Sequence, residues 1–113
     1  MHEVGIMEQT LAIALTHAQQ QGASQIHRMI VRVGTLSGVE PDALKFAFDV
    51  VTQGTIAACA TLTIDTVPAV CYCHHCQQTF QPMDWIYVCP DCQTLSTDIR
   101  QGRELELASM EVS

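Results

Sequence analysis

The sequence is poor in basic and in aromatic residues. Five Lys and Arg residues stand against twelve Asp and Glu residues, and the formal net charge is −7. A chain of this charge lacks the basic surface that attracts nucleic acids and anionic membranes, which excludes both as expected partners. Aromatic residues make up 5% of the sequence, so aliphatic side chains and methionine must fill most of a core. Because 48% of the residues are hydrophobic and 15% are charged, wholesale disorder is also excluded.

Long apolar runs and export signals are missing as well. No run approaches the roughly 18 apolar residues of a membrane-spanning helix, and the first twenty residues lack the basic start and the small-residue cleavage site of a signal peptide. We therefore expect a cytoplasmic protein. In that reducing compartment, clustered cysteines are more often metal ligands than disulfides, and five of the six cysteines lie within residues 71–92.

Hydrophobic periodicity predicts two helices and three strands. Apolar residues at helical offsets indicate the helices, with Gly22 and Gly54 as stops and Pro41 in the first turn of the second helix. Residues of alternating polarity, many of them β-branched, indicate the strands. Because a strand–helix–strand unit crosses over right-handed, the first two strands should pair in parallel. In chain order, we predict a helix over 5–21, a strand over 26–33, a helix over 41–51, and strands over 61–67 and 104–112.

The last strand follows a stretch of different character, rich in cysteine and turn residues. We therefore predict a discontinuous first domain, residues 1–68 plus 103–113, and an inserted second domain, residues 69–102. The fold class is α+β: a small α/β domain with two helices on a three-stranded mixed sheet, and an inserted rubredoxin-like zinc-ribbon domain. In this scheme the strands alternate without interruption, so Ile26 faces away from Met29 and Leu105 shares a face with Leu107.

The strongest motif is a pair of Cys-x-x-Cys turns separated by twelve residues. Each turn places two sulfurs on one side of a tight loop, and two turns supply four thiolates for a tetrahedral Zn²⁺ site. Such a closed set leaves no position for water, which indicates a structural zinc ion whose binding energy folds the insert. The four predicted zinc ligands are Cys73, Cys76, Cys89 and Cys92. We expect the apolar residues of the insert, Phe80 and 85–88, to form a small cluster packed against the sulfurs.

The remaining cysteines and two histidines admit more than one role. Cys71 lies outside the paired spacing and is interpreted as a spare thiol that packs against the first turn, with a metal role as the alternative. His74 and His75 lie inside the first Cys-x-x-Cys turn, where we favour exposed loop histidines over a transient second metal site. Cys59 is isolated between apolar neighbours and is expected to be a small core residue.

The N-terminus carries a second candidate metal site. His2 places an imidazole beside the α-amine of Met1 and the first backbone amides. Amine, amide and imidazole nitrogens can form fused chelate rings in a tetragonal plane, a geometry that suits Ni²⁺ or Cu²⁺. On these residues alone, a histidine without a metal role is the alternative.

Taken together, the motifs resemble those of the HypA/HybF family of hydrogenase maturation factors. The resemblance covers essentially the whole chain, and the joint pattern is specific although no single motif is. It lies in Met1-His2-Glu3, the loop Arg32-Val33-Gly34-x-Leu36-Ser37-Gly38-Val39, the cysteine quartet, Pro41, 54–57 and 101–105.

The resemblance implies a nickel site and a zinc site. His2 matches the family's nickel ligand, through its imidazole and backbone, and Glu3 matches a residue whose backbone amide, and sometimes side chain, assists. Glu40 matches an acidic position that is drawn into the nickel site, with capping of the second helix as the alternative. The cysteine quartet matches the zinc ligands. Cys59 and Cys71 depart from the family's pattern and leave a thiol contribution to metal handling open.

For function, the resemblance implies a nickel metallochaperone and not an enzyme. Such a protein carries Ni(II) as transient cargo and Zn(II) as a structural ion, and it delivers nickel to the [NiFe]-hydrogenase large subunit together with the GTPase HypB. The family's dimers add a homodimer to the expected partners. Two other classes stay open: a zinc-ribbon module that binds protein or nucleic acid without nickel function, and a Cys-x-x-Cys redox protein. The absence of Lys and Arg from residues 70–98 argues against nucleic acid, and two paired turns argue for zinc over redox chemistry.

Overall fold

The computed structural model of the protein describes residues 2–83 and 85–113. These residues form two three-stranded sheets, with strand orders β2-β1-β6 and β4-β3-β5, and two helices. Neither helix is long and apolar enough to cross a membrane. In chain order the elements are α1 (Glu3–Gln20), β1 (Ile26–Gly34), α2 (Pro41–Val51), β2 (Thr61–Val67), β3 (Val70–Cys73), β4 (Gln78–Phe80), β5 (Asp98–Gln101) and β6 (Leu105–Val112).

The first sheet is mixed, and the two helices pack together against it. β1 pairs in parallel with β2 and antiparallel with β6, so the predicted parallel pair is confirmed. The predicted apolar stripes of both helices supply the core, as the 3.6-residue period requires. The buried core residues of these elements are Met7, Leu11, Ala14 and Ala18 of α1, Ile26, Met29, Val31 and Val33 of β1, and Leu44, Ala47 and Phe48 of α2.

One prediction about strand faces is wrong because β1 and β6 pair through an irregularity. The register shifts between Ile26 and Arg28, and an extra residue at such a bulge breaks the alternation of side chains. Ile26 is therefore fully buried in the same core as Met29 instead of facing away from it. The second shift lies between Leu107 and Ser109, which pair with Val31 and Ile30, and it leaves residues 105–107 in regular register. Leu105 and Leu107 therefore share one face, as predicted, opposite Val33 and Val31. Leu107 packs against the core, and Leu105, nearer the end of the sheet, is 37% exposed.

The insert forms the second sheet, which is antiparallel. β3 pairs with β4 on one side and with β5 on the other. Hydrophobic periodicity does not predict these strands, because each has only three or four residues and a repeat needs more than that to be visible. Isolated bridges between Met83 and Ile86 and between Val88 and Leu95 organise the segment between β4 and β5.

The chain passes between the two sheets twice, and the returning passage is bonded to the end of β1 and the loop after it. The Gly34 N–H donates to the Glu104 carbonyl oxygen at 2.7 Å, and the Leu36 N–H donates to the Gly102 carbonyl oxygen at 2.6 Å. Gly34 is required at this crossing for steric reasons. A Cβ atom at this position would lie 2.0 Å from the Gly102 carbonyl oxygen, closer than any nonbonded contact allows.

Candidate metal centres

Four cysteine sulfurs meet at one point of the insert. The Sγ atoms of Cys73, Cys76, Cys89 and Cys92 all lie within 4.8 Å of one another. Cys73 and Cys92 Sγ are 3.5 Å apart, and Cys89 and Cys76 Sγ are 4.0 Å apart. A tetrahedral zinc ion with Zn–S bonds of about 2.3 Å requires sulfurs about 3.8 Å apart, whereas a disulfide requires about 2.05 Å. The spacing therefore fits one tetrahedral metal ion and is too wide for disulfides between these four.

The two Cys-x-x-Cys turns share an unusual backbone conformation. The residue after each second cysteine has a positive φ, 55° at Gln77 and 62° at Gln93. This left-handed conformation costs a non-glycine residue about 1 kcal/mol or more. In the first turn, Gln77 follows a hydrogen bond of 3.4 Å from the Cys76 N–H to Cys73 Sγ. Since both turns carry the same strain, the geometry of the sulfur cluster, and not the preference of glutamine, determines the backbone here.

The protonation of the sulfurs explains why the cluster needs a cation. Hydrogen bonds from the side chain and the backbone of Thr94 lower the pKa of Cys92 to about 6. A hydrogen bond to Cys92 raises the pKa of Cys76 to about 12. One thiolate therefore keeps its neighbour protonated, and four thiolates at this spacing repel one another unless a cation lies between them. The donor set fits a thiophilic divalent ion such as Zn²⁺. Cysteine spacing gives no sign of Thr94, whose contribution only the folded structure shows.

A polar cluster ties the first Cys-x-x-Cys turn to the insert sheet. His74 Nε2 lies 2.9 Å from Asp98 Oδ2, and Arg100 donates two hydrogen bonds of 2.9 Å to the same carboxylate. The Arg100 guanidinium lowers the pKa of Asp98 and lies 4.2 Å from the centre of the Tyr72 ring. His74 and His75 are exposed, as expected for loop histidines. A transient second metal site at these two residues stays an untested alternative.

The two remaining cysteines differ in exposure. Cys71 is fully buried on β3, two residues before Cys73, and burial raises the pKa of its thiol. This burial agrees with a packing role for the thiol, and its expected contact with the first Cys-x-x-Cys turn stays a prediction. Cys59 is exposed, so the prediction that it is a core residue is wrong. It lies in the turns between α2 and β2, where Ala57 takes the buried position instead.

We expect iodoacetamide to modify Cys59 in the native protein and to leave Cys71 unmodified until the protein unfolds. The thiolate is the nucleophile, so a buried thiol with a raised pKa reacts slowly, and the four clustered sulfurs are protected when they bind a metal. Intact-mass measurement should show one carbamidomethyl group on the native zinc-loaded protein and none on the Cys59→Ser variant. Two groups on the native protein would contradict the burial of Cys71.

The second candidate site lies where the two helices begin. His2 is the N-cap residue of α1, but its side chain makes no capping hydrogen bond and is exposed. Glu3 Oε2 accepts a hydrogen bond of 3.2 Å from the Glu40 N–H, which lowers the pKa of Glu3. Glu40 caps α2, because its Oε1 accepts a hydrogen bond of 3.2 Å from the Asp42 N–H. The structure thus brings His2, Glu3 and Glu40 to one place, while Met1, the fourth predicted nickel ligand, lies outside the described residues.

The N-terminal site and the insert lie at the same end of the first sheet. At that end Gly34 pairs with Val67, where the chain leaves β2 for the insert. Val33 pairs with Leu105, where the chain returns from the insert into β6. Glu40 follows β1 by six residues and contacts the first turn of α1. The topology therefore places the insert beyond the end that carries the N-terminal site.

Two of the five apolar residues expected to pack around the sulfurs lie on the surface instead. Trp85 and Ile86 are each 61% exposed, so the prediction is wrong for these two residues. The backbone instead makes a bend, closed by a hydrogen bond of 2.9 Å from the Ile86 N–H to the Met83 carbonyl oxygen. Phe80, Tyr87 and Val88 are half-buried.

The fold and the sulfur cluster together define a small metal-binding protein, an α/β unit interrupted by a four-cysteine zinc ribbon. The family model described as "Hydrogenase/urease nickel incorporation, metallochaperone, hypA" matches residues 1–112. The protein belongs to this HypA family of nickel-incorporation metallochaperones.

Individual relatives agree with the family assignment over their full length. The hydrogenase maturation factor HypA of a Picosynechococcus species is 50% identical over 112 residues, which are 99% of each chain. The HypA of Acidithiobacillus ferrooxidans is 39% identical with the same coverage. The solution structure of the Ni metallochaperone HypA from Helicobacter pylori is 27% identical, with a TM-score of 0.69 over 99% of this chain and 97% of that one. A second solution structure, titled HypA protein, is 28% identical with a TM-score of 0.73 over 100% of this chain and 97% of that one.

Proposed function

We propose that this protein binds Ni(II) at its N-terminus and delivers it to the large subunit of a [NiFe]-hydrogenase during maturation. The observation that carries the proposal is the position of His2, exposed and without a capping bond at the start of α1. The proposed ligands are the amine of Met1, the imidazole and backbone of His2, and the backbone of Glu3, with Glu40 close by. A helix N-terminus alone disfavours a cation, and the two neighbouring carboxylates offset this. Such a site suits a cargo ion that must be released again.

We propose further that the four clustered cysteines hold one structural Zn(II). The support is the tetrahedral spacing of their sulfurs and a closed donor set without room for a reacting water. The division into residues 1–68 plus 103–113 and 69–102 follows from this proposal, because the metal would organise the insert separately from the helical core.

The partners and setting that we propose are those of a metallochaperone and not of an enzyme. Nickel passes from His2 to the large subunit, the GTPase HypB assists, and the protein acts in the cytoplasm, with a homodimer as its expected assembly. The alternative is a zinc-ribbon interaction module without nickel function. A nickel titration distinguishes the two.

The variant His2→Gln should weaken nickel binding by at least about tenfold, which is roughly 1.4 kcal/mol. Glutamine removes the imidazole and is bulky enough to disfavour removal of Met1. Zinc content and melting temperature should stay unchanged, since the His2 side chain is exposed and makes no capping bond. The measurement is a nickel titration of untagged protein, followed by calorimetry and by absorbance, which reports coordination geometry. His17→Gln, at an exposed histidine of the same helix, is the matched control.

A Gly-Ser extension before Met1 completes the test, because it keeps every side chain and converts the α-amine into an amide. We expect it to weaken nickel binding by a similar factor, with folding untouched. Equal nickel affinity in the native, extended and His2→Gln proteins would contradict the proposed site and favour the interaction module.

A further inference from the structure

The insert exposes four large apolar side chains within a short segment, which we name the apolar tip. The exposed fractions are 78% for Met83, 61% for Trp85, 61% for Ile86 and 66% for Leu95. Single exposed apolar residues are ordinary, but several on one short segment of a small protein are typical of an interaction surface. Tryptophan and methionine are also enriched in the centres of protein interfaces. Trp85 is the only tryptophan of the sequence, and it is not part of the hydrophobic core.

The backbone holds the apolar tip in a defined shape. The bend at Met83 and Ile86 is closed by a hydrogen bond, and Leu95 is bridged to Val88. Cys89 lies between these paired segments, and its N–H donates to the Thr94 carbonyl oxygen at 2.9 Å. A metal ion on the sulfurs would therefore fix the surface that carries Met83, Ile86 and Leu95.

The surroundings of the apolar tip are acidic. The insert, residues 69–102, contains three Asp, no Lys and one Arg, and this Arg100 pairs with Asp98, so the insert keeps an excess of negative charge. A divalent ion on four thiolates adds two more negative charges. This charge disfavours anionic lipid and nucleic acid and favours a protein surface on which basic residues border an apolar groove.

The apolar tip also lies toward the N-terminal site. Trp85 lines a groove together with Leu36 and Pro68, which belong to the loop after β1 and to the passage into the insert. That loop leads directly to Glu40, whose N–H donates to Glu3. A protein bound at Trp85 is thereby held at the end of the first sheet where His2 lies.

We propose that the apolar tip is the docking surface for the protein that takes nickel from the N-terminal site, and that this protein presents an apolar groove bordered by Lys and Arg. The inference rests on the proposed function, which identifies the receiving protein as the hydrogenase large subunit. Docking on the insert would hold the receiver beside His2 while leaving the nickel ligands themselves uncovered.

The test uses the full chain and the purified nickel-free precursor of the large subunit. Trp85→Ser and, separately, Met83→Ser should weaken the Kd for the precursor at least tenfold, as loss of a central interface residue does. Both positions are exposed, so zinc content and nickel affinity should stay at native values. Ile13→Ser, at a residue of α1 that is 52% exposed, is the control and should leave the Kd unchanged. Raising the salt concentration should weaken the native complex, because opposite charges border the interface.

Fluorine NMR of the chain labelled with 5-fluorotryptophan observes position 85 alone and identifies the occupant of the apolar tip. The precursor should shift this resonance, whereas phosphatidylcholine or phosphatidylglycerol vesicles and higher protein concentration should not. A shift with vesicles, or with protein concentration alone, would overturn the proposal in favour of a lipid or of a second copy. A precursor that does not bind, or that binds both tip variants with native Kd, would overturn it as well. Native docking by a protein that binds no nickel would instead refute the proposed nickel function, so the two failures are distinguishable.

Discussion

Replacing Cys89 by Ser is expected to abolish zinc binding and to unfold the insert while the first sheet stays folded. Cys89 is fully buried, and a neutral hydroxyl is a poor zinc ligand compared with a thiolate. Structural zinc sites contribute on the order of 10 kcal/mol of apparent binding energy at neutral pH, more than the few core residues of the insert can replace. The zinc content measured by elemental analysis should fall from one ion per chain to nearly none. Hydrogen exchange should show lost protection in β3, β4 and β5 and retained protection in β1.

The control for this prediction is Cys59→Ser, which changes an exposed cysteine outside the cluster. It should keep one zinc per chain and native exchange in both sheets. If Cys89→Ser retained full zinc and a protected insert, the four-sulfur site would not be the zinc site, and the ion would have to be sought elsewhere.

Replacing Gly34 by Ala is expected to cost at least about 3 kcal/mol in the free energy of unfolding, at the upper end of overpacking effects. The new Cβ would lie 2.0 Å from the Gly102 carbonyl oxygen and 2.2 Å from its carbon. Both atoms belong to backbone that is hydrogen-bonded to Leu36, so they cannot move aside cheaply. Urea unfolding followed by circular dichroism measures the change.

Gly54→Ala is the matched control, because it tests backbone conformation without crowding. Gly54 has a φ of +75° and no atom within 4 Å of an added Cβ. The left-handed conformation alone should cost about 1 kcal/mol. Equal losses at the two glycines would show that the crossing of the chain at Gly34 is looser than the structure indicates.

The elements with a long hydrophobic repeat could be predicted from the sequence. The helix beginning at Pro41 has its proline and its apolar stripe within eleven residues and its cap, Glu40, directly before them, and these local signals agree. The pairing of β1 with β6 could not be predicted in detail, because a bulge depends on two strands whose residues are far apart in the chain. The side on which Ile26 lies is therefore set by tertiary pairing and not by its neighbours in sequence.

The candidate sites show the same limit. Cysteine spacing predicts the quartet because a Cys-x-x-Cys turn is a local structure with its own geometry. The apolar character of Cys59 and Trp85 predicts packed positions for both, yet both are exposed. Hydrophobicity predicts that a side chain tends to be buried, but it does not determine which positions of the fold lie in the interior. Glu40 shows a further limit. Its carboxylate can cap a helix or bind a metal ion, and the residue type alone does not determine which of the two roles it has.

The late position of β6 has a consequence for the way the chain folds. β6 must pair with β1 across residues 68–104, a long closed loop when the insert is unstructured. In the folded insert Val70 pairs with Gln101, so the effective loop shrinks to a few residues, and the entropy cost of closure falls by roughly 2 kcal/mol. During synthesis, the zinc ion that we propose for the insert would therefore prepare the return of the last strand. Under the same proposal, a cell short of zinc would complete the first sheet more slowly, so the zinc supply would limit the binding of nickel.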